Sequence, residues 1–424
     1  MHGCENGGMD NFGEAISLSE LCKAAKECRR GVSNKAGPVE FNLHRLSSCK
    51  RLKDDITSGR YKIRPGTKVI VYRPKRRVAT APWFRDRVWQ RSMCNNGVYD
   101  DLTRSFLLDN IACQKGKGAD MAIRRVVKML QRPHREDPGA KVYGVHLDVK
   151  KYFPSTPHEE LKEMDRKRIS EEKFLPFLFE IIDSGKDERP REEIEADPFG
   201  KRGTGLGSQI NQLHQITLLD PMDHDLKSIC RNYIRYNDDI LILSHDRDLI
   251  KRARLLAKSH MEGLGLTMTD KAGIFAADNG FYFLRKRFIM KRSGKIIIRL
   301  HRQALADERR TLRGLKRCVD RGIRTMDDVK IHYQSWIASA EYAGDAPIRA
   351  MDKFYTELFR QRPQYKRKKR YLYGRRTERK RKTPQAGDGE RKTPEGKRGP
   401  EGEDRVCGNT GLSGDAGRGR GGAG

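Results

Sequence analysis

Residues 232–244, NYIRYNDDILILS, place two adjacent aspartates, Asp238 and Asp239, between two apolar runs. The runs read as β-strands and the Asn-Asp step as a hairpin turn, because both residue types tolerate left-handed backbone angles. Taken alone the pair reads equally as an ordinary turn; a partner acid elsewhere in the chain is what would give it another role.

Residues 141–155, KVYGVHLDVKKYFPS, supply one. Val145, Leu147 and Val149 alternate on one face of a strand, and His146 and Asp148 share the other. An acid at the end of an apolar strand either faces a cleft or caps the next segment. Two acidic strand ends, one in HLDV and one in YNDD, make a stronger pattern. Carboxylates brought close repel one another and take up protons. A divalent cation resolves that conflict. Mg²⁺ favours a few carboxylates plus substrate phosphates. Two such ions roughly 4 Å apart hold both the attacking and leaving oxygens of a phosphoryl transfer.

Between the two acidic ends lie residues 201–215, KRGTGLGSQINQLHQ. Gly203, Gly205 and Gly207 let backbone approach a substrate closely. Ser208, Gln209, Asn211 and Gln212 then open a helix. No G-K-[ST] follows, and the segment is not a G-x-G-x-x-G after a strand, so it is neither a P-loop nor a dinucleotide fingerprint.

The 424 residues suffice for two or three structural units. Lys plus Arg is 88 against 57 Asp plus Glu, a formal net charge of +31. That excess implies a polyanionic partner, most simply nucleic acid, with salt-sensitive binding. A membrane surface is the competing polyanion. No run of 18 apolar residues reads as a span and no secretory leader is visible. The nine cysteines are scattered, without C-x-x-C or Cys/His metal spacing, and read as reduced thiols of a cytoplasmic protein without zinc.

Residues 1–10 read as disordered and 14–60 as helix with loops. Residues 68–84 read as a hairpin broken at Pro74. Residues 83–131 read as mostly helical, followed by a strand over 141–149. A helix then starts near Ser155 or Thr156 as cap, with Pro157 at its first position. Residues 183–200 form a charged loop, 209–229 one helix and 246–263 another. Two short strands lie within 279–300, around a Ser293-Gly294 turn, and 303–360 are helical. The block RQRPQYKRKKRYLYGRRTERKRK, 360–382, opens a stretch read as disordered after about 362. It is either a solvated tail or localisation signal, or a nucleic-acid arm with Tyr365, Tyr371 and Tyr373 free to stack on bases.

The order HLDVKKYFPS, GTGLGSQINQ, YNDD, LGLTMTDKAGIF, GFYFLRKRF resembles the consecutive palm motifs of a reverse transcriptase, with bacterial retroelement enzymes as the nearest kind. Residues 72–95 and 109–120 resemble the fingers, and 333–359 the helical thumb. The resemblance covers about residues 60–360. It implies an α+β right-hand polymerase: an N-terminal helical extension (1–60), fingers (61–140), a palm of antiparallel sheet plus helices (141–300), a thumb (301–361) and a disordered basic, Gly-rich tail (362–424).

The resemblance also assigns roles. The metal set is Asp148, Val149, Asp238 and Asp239, holding two Mg²⁺, with Mn²⁺ as a substitute. Phe153, five positions after Asp148, is the steric gate under the nucleotide sugar, which implies dNTP use; plain core packing is its other reading. Gln212 lines the template and nucleotide pocket. Lys271 falls on the palm lysine that protonates the leaving pyrophosphate; otherwise it is a solvated lysine. Lys75 and Arg77 reach the incoming triphosphate. Arg285, near the primer grip, and the tail residues Lys366, Arg367, Lys368, Lys369 and Arg370 contact nucleic acid. The implied partners are an RNA template, a DNA or RNA primer and dNTPs, with no membrane.

Several positions depart from the family pattern. Asn237 stands where Ala or Met is usual, Gly205 where Pro is usual, and Arg285 where Gly is usual. Ser335-Trp336-Ile337-Ala338 replaces a Ser-Trp-x-Gly pattern. Residues 206–212, LGSQINQ, are similar to the L-G-x-x-x-S-Q form of diversity-generating retroelements, with Asn211 for Ser. That type implies a small basic accessory protein; a retron-like or defence type is the other option. An intron-mobility protein is disfavoured, because no maturase domain or His/Cys endonuclease pattern is visible. The rival classes are an RNA-directed RNA polymerase, a non-catalytic or defence-type RNA-binding protein on the same fold, and a two-metal nuclease.

Overall fold

The computed structural model describes residues 10–32, 35–72 and 76–367. The chain divides into two units, Met1–Leu372 and Tyr373–Gly424, and all described residues lie in the first. Four helices lead: α1 (Asn11–Ala15), α2 (Leu18–Cys28), α3 (Ala36–Leu43) and α4 (Arg45–Thr57). The hairpin β1 (Thr67–Val71) and β2 (Arg77–Ala81) follows, then α5 (Phe84–Met93), a π-turn over 94–98, α6 (Tyr99–Thr103) and α7 (Ala119–Glu136). Next come β3 (Tyr143–Val149), α8 (Tyr152–Ser155), α9 (His158–Arg168), α10 (Leu175–Asp183), α11 (Arg191–Ala196), α12 (Gln209–Leu218) and α13 (Asp220–Ile229). The second half holds β4 (Tyr233–Tyr236), β5 (Asp239–Ser244), α14 (Arg247–Gly263), β6 (Met268–Ala276), β7 (Phe281–Phe283), β8 (Lys286–Met290), β9 (Ile296–Leu300), α15 (Ala304–Asp320), α16 (Met326–Ala340) and α17 (Asp345–Phe359). The class is mixed α and β with antiparallel sheets.

The central sheet has the order β4-β5-β3-β6, every neighbour antiparallel. Its side chains alternate as the two-residue strand period demands. Val145, Leu147, Ile240 and Ile242 enter one core, against α13 and α14. Ile234, Leu241 and Leu243 enter another, against α7 and the sheet β7-β8-β9. Helix α7 meets this second face with Ala122, Ile123, Val126, Val127 and Leu130, the i, i+3, i+4 stripe of an amphipathic helix. The N-terminal helices build a third core around Trp89, and α15–α17 a fourth around Tyr333 and Tyr355.

Helix starts follow local chemistry. The Asp246 carboxylate caps α14, accepting from the amides of Asp248 at 2.8 Å and Leu249 at 3.0 Å. Thr325 and Asp328 form a reciprocal capping box on α16. Hairpin β1–β2 docks through the Thr80 amide, which donates to the Leu206 carbonyl at 2.8 Å. At the next residue, Gly207, φ is 135° and an added Cβ would lie 2.5 Å from the Thr80 carbonyl oxygen, so glycine is required.

The structure differs from the sequence reading in several places. The single helix expected over 209–229 is two, because Pro221 has no amide to continue α12 across the bend at Leu219. Pro157 is the cap of α9 rather than its first residue, since the Thr156 hydroxyl is spent on Tyr152 and Gln215. Residues 279–300 hold three strands, and β6 is a strand not singled out from sequence. The charged loop at 183–200 contains α11 and a network in which Arg189 and Arg202 pair with Asp187 and Asp197. Chain order continues past 362. The Tyr365 hydroxyl donates to Asp352 at 2.7 Å, so Tyr365 packs on the helices instead of standing free to stack on bases. Residues 1–9, Lys75, Lys368, Lys369, Arg370, Tyr371 and Tyr373 lie outside the described residues.

Beneath the β4–β5 turn lies an ion pair with no exposure at either partner, Arg235–Asp223 at 2.6 Å. Burial alone would lower the pKa of Arg235; the facing carboxylate outweighs it and holds the guanidinium above its usual value. Replacing Arg235 by Met leaves Asp223 buried without its cation and should cost about 3–5 kcal/mol of stability. The double variant Arg235→Met, Asp223→Leu should recover most of that loss, and denaturant unfolding of the four proteins measures it.

Candidate active site

Three acids meet where β3, β4 and β5 end. Asp148 is the second-last residue of β3, and Asp239 opens β5 opposite Tyr236. Asn237 and Asp238 form the two-residue turn, with Asn237 at φ 61°. Asn is among the few side-chain-bearing residues that enter this region readily. The turn is tied down from below: Arg235 Nη1 donates to the Asn237 carbonyl at 3.0 Å, and Arg235 Nη2 to the Ile216 carbonyl at 2.7 Å.

A fourth group arrives from β6 through an irregularity. The ladder runs Val145↔Ile274 and then Leu147↔Asp270, so residues 271–273 oppose His146 alone. This bulge is closed by the Gly273 amide, which donates to Asp270 Oδ1 at 2.7 Å, with Gly273 at φ 60°. It aims Lys271 at the acids. The Lys271 ammonium bridges Asp148, at 3.2 Å, and Asp239. His146 Nε2 also lies 3.2 Å from Asp239 Oδ1, with its ring edge-on to Phe283.

The three carboxylates are therefore unequal. Burial, then the charges of Asp148 and Asp239, push Asp238 up to about 6. Burial also opposes ionisation of Asp239, but hydrogen bonds from His146 and Lys271 prevail and hold it below the usual range. Burial would lower Lys271, and its bonds to Asp239 and Asp148 raise it instead. Among the described residues, no three acidic, imidazole or thiol groups converge closely enough to hold a metal ion as they stand. The donor set nonetheless fits a hard cation. It is all oxygen and mutually repelling, and an ammonium already lies between two of its members.

Phe153 sits on α8, half-buried, outside all four cores and edge-on to Tyr152 at 6.3 Å. Gln212 is half-buried on α12, beside Asn211, whose side chain donates to the Gly205 carbonyl at 3.0 Å. Arg77 is exposed at the start of β2. Arg285 is exposed in the β7–β8 turn, at φ 60°, 3.7 Å from Asp307. Lys366 and Arg367 engage the helices: the Lys366 amide donates to Gln334 at 2.7 Å, and Arg367 pairs with Asp345 at 2.6 Å. Of the residues singled out from sequence, Asp148, Asp238, Asp239 and Lys271 are brought together, with Val149 next in β3. Sequence reasoning missed Arg235. Its signal was an arginine inside the apolar run YIRY, which has to find an acid.

No family model matches the chain. It is 27% identical over 284 residues to Protein YkfC of Escherichia coli (strain K12), covering 57% of this chain and 71% of that protein. Among solved structures it is similar to telomerase from Candida albicans in complex with a TWJ fragment of telomeric RNA. That likeness has 10% identity and a TM-score of 0.41, over 76% of this chain and 60% of the other. It is also similar to apo telomerase from Candida tropicalis truncated from the C-terminal domain, at 12% identity and a TM-score of 0.38, over 59% of this chain and 60% of the other. The chain thus spans about 60% of the length of these two telomerase chains. No helix among the described residues is long and apolar enough to cross a membrane.

The pKa of Asp238 carries a stability consequence. Folded Asp238 binds its proton more tightly than the unfolded chain does, so its favourable contribution is complete below about pH 4 and lost as pH rises through about 6. Asp238→Asn should therefore stabilise the metal-free protein at pH 7.5 by roughly 2–3 kcal/mol. The gain should vanish near pH 4, as unfolding curves at the two pH values test.

Proposed function

We propose that this chain is an RNA-directed DNA polymerase that extends a primer by nucleotidyl transfer. The observation that carries the reading is the meeting of Asp148 with Asp238 and Asp239 at adjoining strand ends, with Lys271 between Asp148 and Asp239. In this reading residues 61–140 act as fingers, 141–300 as palm and 301–361 as thumb, after an N-terminal helical extension.

Asp148, Asp238 and Asp239, with Val149 alongside, would hold two Mg²⁺, which supply positive charge to the attacking 3′-oxygen and the leaving pyrophosphate. Lys271 would release Asp148 and Asp239 as they take up this role, leaving its ammonium free to give a proton to the departing pyrophosphate. Arg235 fixes the Asn237 carbonyl and so the place of Asp238. Phe153 presents a bulky ring to the sugar, which favours deoxynucleotides over ribonucleotides and DNA over RNA synthesis. Arg77 and Lys75 would contact the triphosphate, and Gln212 the templating pair. The excess of basic residues provides the non-specific hold on template and primer. The chemistry is positioning and charge stabilisation, with no covalent enzyme intermediate. The LGSQINQ segment favours a retroelement enzyme of the diversity-generating kind, working with a small basic accessory protein.

Primer extension on an RNA template with Mg²⁺, comparing dNTPs with NTPs, tests the proposal. Wild type should make DNA. Asp238→Ala should lose at least about 10³-fold in rate while its RNA affinity in a filter-binding assay stays within about threefold. Synthesis retained by Asp238→Ala, or NTPs used as well as dNTPs, would overturn it.

A further inference from the structure

Helix α8 has four residues, too few to hold its own shape, and it follows Lys151 at φ 49°. Yet it carries Phe153. What fixes Phe153 is a strand-like pairing with residues 201–204. The Thr204 amide donates to the Phe153 carbonyl at 2.9 Å, the Gly203 amide to Thr156 at 2.9 Å and the His158 amide to Lys201 at 2.9 Å. The Thr204 hydroxyl adds a longer bond to the same Phe153 carbonyl, at 3.4 Å.

Behind this pairing lies one buried amide. Gln215 Nε2 donates to the hydroxyls of Thr204, at 2.8 Å, and Thr156, at 2.9 Å. The Thr156 hydroxyl reaches the Tyr152 carbonyl at 2.8 Å, and the Tyr152 hydroxyl donates to the Gln215 carbonyl at 2.5 Å. Thr156 and Gln215 are fully buried and Thr204 nearly so. The ring of Phe153, by contrast, belongs to no core. Its backbone is therefore held by polar groups, while its half-buried ring lies outside the cores and meets the edge of Tyr152.

We infer that Thr204 and Gln215 are specificity-determining positioning residues, which set the depth of the Phe153 ring and with it the choice between deoxyribonucleotides and ribonucleotides. This rests on the reading of Phe153 as the sugar gate. Thr204→Val keeps size and the backbone amide but removes the hydroxyl, leaving the Gln215 amide short of an acceptor and the Phe153 carbonyl with one donor. Gln215→Leu removes the network from the other side.

The test is single-nucleotide incorporation on a primed RNA template, with kcat/KM measured for a dNTP and its NTP, in wild type, Thr204→Val, Thr204→Ser, Gln215→Leu and Phe153→Val. Thr204→Val and Gln215→Leu should lower the dNTP-over-NTP ratio about tenfold, mostly through gained NTP use, with dNTP efficiency within about threefold of wild type. Thr204→Ser, which retains the hydroxyl, should keep the wild-type ratio. Unchanged ratios in Thr204→Val and Gln215→Leu, beside a collapsed ratio in Phe153→Val, would overturn the inference and leave the gate standing. An unchanged ratio in Phe153→Val would overturn the gate and the inference together. Circular dichroism melts precede the kinetics. Whichever of Thr204→Val and Gln215→Leu folds carries the test, and Thr204→Ala replaces them if neither does.

Discussion

The guanidinium of Arg235 is the fixed point of this site. It has no solvent exposure, so each of its donors must find an acceptor inside the protein. Nε and Nη2 go to Asp223, Nη2 also to the Ile216 carbonyl, and Nη1 to the Asn237 carbonyl. Tyr233 and Asn110 donate to the same Asp223 carboxylate, joining α13, β4 and the segment before α7. A hairpin turn at a sheet end is ordinarily free to rock. Here its first residue is bonded to a group that cannot move without breaking a buried ion pair.

On that rigid base the electrostatics are deliberately unfinished. Two of the three acids lie against a basic side chain, Asp148 against Lys271 and Asp239 against Lys271 and His146. The third, Asp238, has the side-chain amide of Asn237 at 3.3 Å and two like charges close by. A fold selected only for stability would avoid this arrangement. Repulsion of this kind persists where charge is to be gathered for a task, and it is the physical reason to look for chemistry here.

Much of this was legible in the sequence, and the limits have identifiable causes. The alternation in VHLDV and the unbroken apolar run ILIL announce strands, and both acidic ends follow from them. The two-strand reading of 279–300 failed because β7 has only three residues, too few for a period to show. Residues 209–229 read as one helix because the apolar pattern runs on through the bend, and Pro221 is the local signal for the break. The ordered run to Arg367 was hidden by composition. Tyr365 reads as a tail residue until Asp352, thirteen positions earlier, supplies an acceptor. The contact of Gln215 with Thr156 joins residues 59 positions apart, and no local pattern encodes it.

The bulge in β6 has a consequence in parity. Between Val145 and Leu147, β3 advances by two residues while β6 advances by four. The excess is even, so in-and-out alternation is the same on both sides of the irregularity. An odd excess would have turned one half of β6 inside out. Lys271 thus hangs on a stretch of backbone spliced into the strand without disturbing the order around it. Shifting that short loop would move the lysine relative to the acids while both flanking ladders stay paired. Asp148 and Asp239 sit on ladder-paired backbone, whereas Lys271, the cation that faces them, sits on backbone outside the ladder.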